Sequence, residues 1–212
     1  MGREEILARI RSALSDRPHA QADNAALDER MAMRPAGPAV HFDGDLLPRF
    51  IAKSLANHFT LERIASMQLL VPAIRALLPA DETPDISVAQ ALDHVGWPPE
   101  WTINRGAGRP VERLSVTLAY AGIAETGSIV MRSGADSPTT LNFLPDLHVV
   151  VLHASDVVRY PEDVWRRMDV SAAAWPRSVN VISGPSRTAD VGGTIVRPAH
   201  GPKSVQLIII DD

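Results

Sequence analysis

The chain has 212 residues, a formal charge of −4 and no cysteine. That length suits one large domain, or a domain with an appendage, and buries enough surface to fold without covalent staples. The absent cysteines exclude disulfides, thiolate nucleophiles, cysteine-ligated zinc and any iron–sulfur cluster held by the chain itself, and the mild negative charge argues against nucleic acid or an anionic membrane as the main partner.

In chain order, residues 3–14 place Ile6, Leu7, Ile10 and Leu14 at helical spacing, with Glu4 and Glu5 in the first turn, where the helix dipole favours acids. This predicts an N-terminal amphipathic helix within residues 1–15, which either packs back on its own domain or docks on a neighbour. Residues 16–40 turn to Ala, Pro, Asp, Arg and Gly with little apolar periodicity and read as a linker or extended arm. The remaining residues, 41–212, alternate helical and strand-like patterns: a helix over 46–58, a short strand at 61–66, and a helix through 69–78. A short strand follows at 86–88, then an irregular stretch from 95 to 113 broken by glycines and prolines. Two β-rich runs, 114–124 and 127–131, flank AETG. Residues 148–153 form an almost unbroken apolar strand of the kind buried on both faces, and PEDVWRRM starts a helix at Pro161. Strands at 179–182, 194–196 and 205–210 complete an α/β fold with a mainly parallel central sheet flanked by helices. No stretch reaches the roughly 20 apolar residues of a membrane span, and MGREEILARIRSAL interrupts its apolar positions with charge, unlike a signal peptide. The expectation is a cytoplasmic protein.

Three constellations carry chemistry. In GIAETGSIV a single carboxylate, Glu125, sits between two apolar runs beside Thr126 and Gly127. It is either an outward-facing residue of an ordinary hairpin or a general acid, base or nucleophile leaving a buried strand. After the strand at 179–182, the loop GPSRTADVGG holds Gly184, Ser186, Arg187, Thr188 and Asp190. A loop of this composition at a strand end presents backbone N–H groups and hydroxyls to an anion. The alternative is a surface turn in which Arg187 and Asp190 pair with each other. In HGPKS, His200 and Lys203 bracket a Gly-Pro turn and face an anion together, or His200 fixes the turn through a backbone carbonyl. The remaining histidines lack ligand-like neighbours. His148 and His153 lie at opposite ends of one strand, point to opposite faces and cannot share a metal, so no metal site is expected. Gly106-Ala107-Gly108 lacks the third glycine of a dinucleotide fingerprint, and neither a phosphate-loop string nor a serine elbow occurs.

Together, GIAETGSIV, LPDLHVVVLHASDVV, SGPSRTADVGGTIV and HGPKSVQLIIID, in this order over residues 119–212, resemble the LUD-domain family of lactate utilization proteins. The resemblance implies the NagB/RpiA/CoA-transferase-like fold and a role in oxidising L-lactate to pyruvate beside partner proteins, including an iron–sulfur subunit. It implies no cofactor in this chain. The matched positions are Glu125, Thr126, Gly127, Gly184, Pro185, Ser186, Arg187, Thr188, Asp190, His200, Gly201 and Pro202; Gly192 and Pro198 depart from the pattern. On this reading the chain is an accessory subunit holding a small carboxylate or a partner surface. Arg187 clamps a 2-hydroxy acid, His200 takes the hydroxyl proton, and Asp190 or Glu125 orients one of them. Thr126, Gly127, Gly184, Ser186, Thr188 and Lys203 complete the binding group. Two alternatives stand beside it. One is a stand-alone enzyme resembling CoA transferases or formyltetrahydrofolate cyclo-ligase, with Glu125 as nucleophile or base; the other is a scaffold or sensor.

Overall fold

The computed structural model describes residues 2–15, 24–33, 40–108, 113–168, 175–188, 198 and 200–211. The chain divides into two compact units, Met1–Ala39 and Val40–Asp212. In the first, helix α1 (Arg3–Ser15) carries Glu4 and Glu5 in its first turn, and Ile6, Leu7 and Ile10 are exposed. The segment expected as a linker contains a second helix, α2 (Asn24–Met33). Its sequence, NAALDERMAM, is built from strong helix formers but has no apolar stripe, and that stripe is the pattern on which a sequence-based helix assignment depends.

The second unit opens with α3 (Leu46–Ala56), β1 (Thr60–Ile64), and α4 (Leu70–Ala76), which is entered through a 3-10 turn over Met67–Leu69. Strands β2 (Asp85–Val88), β3 (Thr102–Asn104), β4 (Leu114–Leu118), β5 (Ala121–Ile123), β6 (Ser128–Arg132), β7 (Leu147–His153) and β8 (Val157–Val158) follow. Helix α5 (Pro161–Arg167), β9 (Val179–Ile182) and β10 (Ser204–Ile210) close the order. Among the described residues six strands form a parallel sheet in the order β1-β10-β7-β4-β2-β3, and four form a second sheet, β8-β5-β6-β9. In the parallel sheet β10 runs beside β7 along its length, from Ser204 opposite Leu147 to Ile210 opposite His153.

The apolar alternation of β7 explains the layering. Val149 and Val151 face one side, where they pack with Leu70 and Ile74 of α4, Ile86, Val116, Ile208 and Ile210. Val150 and Leu152 face the other, against Phe50 of α3, Leu207, Ile209, and Ile129 and Met131 of the second sheet. Both faces of the parallel sheet are therefore buried, as uninterrupted Val/Ile/Leu strands require. Phe50 is completely buried, and truncating such a ring to alanine costs about 3–5 kcal/mol. On its outer side the second sheet packs Ala121, Ile123 and Val130 against Val164 of α5. That helix starts at Pro161, and the Asp163 carboxylate accepts the Tyr160 N–H at 2.9 Å.

Three expectations change. The run 114–124 is not one strand: the Ala119 N–H donates to Val151 of the parallel sheet at 2.8 Å, and the next N–H, of Tyr120, donates to Val130 of the second sheet at 2.8 Å. Two consecutive residues thus carry the chain from one sheet to the other. The irregular stretch 95–113 contains a strand, β3, paired in parallel with β2 from Asp85 opposite Thr102. The strand at 179–182, expected to help complete the mainly parallel central sheet, is instead an edge of the second sheet, antiparallel to β6, with Val181 exposed. The strand expected at 194–196 lies outside the described residues. Among the described residues no helix is long and apolar enough to cross a membrane.

Candidate functional site

The Glu125 turn joins β5 to β6. It closes through the Gly127 N–H donating to Ile123 O at 2.8 Å, and Gly127 adopts φ +70°, a conformation that glycine takes without strain. Space makes the same demand, since a Cβ at Gly127 would run into the backbone of Lys53 and Ser54. The end of α3 therefore lies directly against the turn. Ser54, fully buried, directs its hydroxyl at Phe50 O (2.8 Å) and Gly127 O (3.1 Å), and the Asn57 amide donates to Thr126 O at 2.8 Å. Glu125 has a half-buried side chain, and its N–H donates to Arg159 O at 3.1 Å.

The loop after β9 reaches the same helix end. Gly184 has φ +103°, and a Cβ there would strike the Asn57 carbonyl. Asn57 thus touches both blocks, its amide holding the Glu125 turn and its carbonyl abutting Gly184. A hydroxyl chain joins them a second time: Thr126 Oγ1 donates to Ser128 Oγ at 2.8 Å, and Ser128 Oγ lies 2.7 Å from Ser183 Oγ. Farther along, the Ser186 N–H donates to Pro202 O at 3.0 Å, and the His200 N–H donates to Ser186 Oγ at 3.2 Å. A Cβ at Gly201 would sit 3.2 Å from that of Ser186. Turn 125–127, loop 183–186 and turn 200–202 are consequently one connected structure.

The charged groups are less gathered than their backbones. Arg187 and His200 are exposed and Thr188 is half-buried; among the described residues no ion pair joins Glu125, Arg187 and His200. Lys203, expected to face the same anion as His200, pairs with Asp146 at 2.7 Å. Asp190 and Gly192 lie outside the described residues. Pro198 is half-buried. Among the described residues no group of three or more His, Asp or Glu side chains is arranged to hold a metal ion.

Two features escaped the sequence. His148 is fully buried in β7, with its Nε2 2.8 Å from Thr117 Oγ1 and, among the described residues, no partner for Nδ1. Burial lowers its pKa from 6.5 to about 3, so the ring is neutral at physiological pH. The signal was present, since an imidazole inside LHVVVLH must lose its hydration. The second feature is a cleft of about 860 Å³. Its walls include Tyr120, Arg132, Ser137, Arg167, Trp175 and Arg177, and Glu125 is not among them. These residues come from separate segments, and each reads as ordinary surface until the sheets bring them together.

Residues 113–210 match the family model for the LUD domain. Over 102 residues the chain is 30% identical to lactate utilization protein C of Halalkalibacterium halodurans, covering 47% of this chain and 44% of that one. It is 30% identical over 136 residues to lactate utilization protein C of Geobacillus thermodenitrificans, covering 58% and 56%. It is 29% identical over 126 residues to the uncharacterized protein YkgG of Escherichia coli, covering 58% and 54%. The chain thus spans about half the length of the curated relatives it matches. A crystal structure of a DUF162 family protein from Deinococcus radiodurans superposes with a TM-score of 0.53 at 18% identity, over 78% of this chain and 96% of that one. At that identity the likeness establishes the α/β fold alone.

Proposed function

We propose that the chain, whose residues 113–210 match the LUD-domain model, is a member of that family and serves lactate utilization as a cluster-free subunit of a system oxidising L-lactate to pyruvate. Its role in that system is to hold the small carboxylate at the connected turns. The observation supporting this most directly is the joining of turn 125–127, loop 183–186 and turn 200–202, which all fall inside the LUD match. Segments far apart in sequence are brought together there by hydroxyl and backbone bonds, and such a scaffold fixes the geometry of whatever its side chains hold.

Arg187 supplies the fork that grips the carboxylate. His200 receives the hydroxyl proton as lactate becomes pyruvate, and Glu125 or Asp190 orients one of these groups. The two electrons and the second proton leave with a partner protein. With no cysteine in its sequence, this chain offers no thiolate to hold an iron–sulfur cluster, so such a cluster belongs to the partner. Names of relatives that refer to lactate utilization support the substrate class.

The test is genetic. Deleting the gene should abolish growth on L-lactate and spare growth on pyruvate, and Arg187→Ala should reproduce that loss with an unchanged thermal midpoint. Growth on lactate by the deletion strain removes the role itself; normal growth of the Arg187→Ala strain removes the clamp.

A further inference from the structure

The cleft at Tyr120 shares no residue with the connected turns. We propose that it binds a nucleoside diphosphate type of ligand, a planar ring joined to a phosphate chain. This goes beyond the lactate reading and does not depend on it. Position is the first argument. Ala91 follows β2, Leu118 to Tyr120 leave β4, and Asp156 follows β7, so the cleft lies beyond the carboxyl ends of the parallel strands, the customary ligand position in open α/β sheets. Size is the second, because about 860 Å³ far exceeds what a small hydroxy acid fills and falls within the range of about 300–1,000 Å³ typical of cofactor-sized pockets.

Charge and shape narrow the class. Three guanidiniums, from Arg132, Arg167 and Arg177, face two carboxylates, from Asp136 and Asp156. Arg167 is already paired with Asp156 at 2.6 Å, which among the described lining residues leaves Arg132 and Arg177 against Asp136 alone, a net positive wall. The Arg132 guanidinium stacks 3.9 Å from the Tyr120 ring centroid and that of Arg167 4.9 Å from it. Both heads are therefore held in place, and planar forks so held suit phosphate oxygens. Trp175, with 41% of its surface exposed, offers an indole face on which a planar base can stack. Asp136 provides an acceptor for a sugar hydroxyl or a ring N–H.

Independent support comes from Ser137. The nearby wall is well bonded: Ser178 N–H donates to Ser133 Oγ at 2.8 Å, Ser133 N–H donates to Ser178 O at 3.0 Å, and Thr139 Oγ1 lies 3.2 Å from Ser178 Oγ. Ser137 lines the same cleft, is 9% exposed, and has no hydrogen-bond partner for its hydroxyl among the described residues. An unsatisfied hydroxyl at that depth is costly unless something polar joins it.

The experiment titrates the full chain with ADP, GDP and UDP by calorimetry, with pyrophosphate and adenosine as the anion and ring halves. At least one nucleotide should saturate and bind more tightly than either half. The double substitution R132Q/R177Q should weaken that nucleotide by at least about tenfold, the loss of a charge-assisted contact, with the thermal midpoint of the free protein retained. R177Q alone, at an exposed position, serves if the double variant does not fold. The proposal fails if none of the three nucleotides binds at millimolar concentration, if the arginine variants bind them as the parent does, or if pyrophosphate binds as tightly as the best nucleotide.

Discussion

Acid should unfold this protein through His148 earlier than carboxylate titration alone would. In the folded chain burial holds the ring neutral down to about pH 3, whereas the free side chain protonates at 6.5. Below 6.5 the unfolded state therefore binds a proton that the folded state refuses, and stability drains away as pH falls. The contribution is fully present above 6.5 and declines through the window from 6.5 to 3. One pKa unit corresponds to about 1.4 kcal/mol, which gives a loss of about 2 kcal/mol between pH 7 and pH 5 and about 4 kcal/mol by pH 3. A typical domain has only about 5–15 kcal/mol in total. The assay is urea unfolding at pH 7, 6 and 5 for the parent and for His148→Gln, which cannot titrate. The comparison is between slopes with pH, so any packing penalty of the substitution cancels. The variant should lose markedly less stability than the parent over this interval. Parallel losses would refute the assignment of the proton to His148. The hydrogen bond to Thr117 is compatible with a neutral ring: with the proton on Nε2 donating to Thr117 Oγ1, only a bare lone pair on Nδ1 lacks a partner, and an unmet acceptor is easier to tolerate than an unmet donor.

Gly127→Ala should destabilise the second unit by about 3 kcal/mol or more, because left-handed backbone costs an L-residue roughly 1–2 kcal/mol and the added methyl also meets the α3 backbone. Chemical denaturation reads this directly, and a loss under about 1 kcal/mol would show that α3 does not press on the turn. Lys203→Ala should change stability by no more than about 1 kcal/mol, as befits a surface ion pair whose two side chains are both more than half exposed. A larger loss would place Lys203 in a network beyond Asp146.

Much of the architecture was legible because its signals are local and repetitive. The apolar runs of β7 and β10 and the amphipathic pattern of α3 can be read from neighbours in sequence. The order of strands cannot, since it depends on which face each element buries against distant partners. The break at Ala119 and Tyr120 was hidden for that reason: both residues suit a strand, and only their bonding to different sheets separates β4 from β5. Helix α2 was missed for the opposite cause, having propensity without amphipathic pattern. For the candidate site, the blocks around Glu125, Gly184 and His200 stood out by composition and do come together. Their mutual anchor, Asn57, carries no signal in sequence, because its role follows from where α3 ends. The arginines at 132, 167 and 177 were invisible as a group, each being unremarkable alone.

Strand β10 lies between β1, formed from residues near 60, and β7. Among the described residues β10 is the strand that pairs with β1, so during synthesis β1 leaves the ribosome long before residues 204–210 exist to pair with it. The central sheet can close only by inserting a late strand into a gap held open by earlier ones, a long-range step that slows folding. A nascent chain of this protein therefore passes through a stage with two exposed strand edges, which are sites for mispairing or for a chaperone to cover.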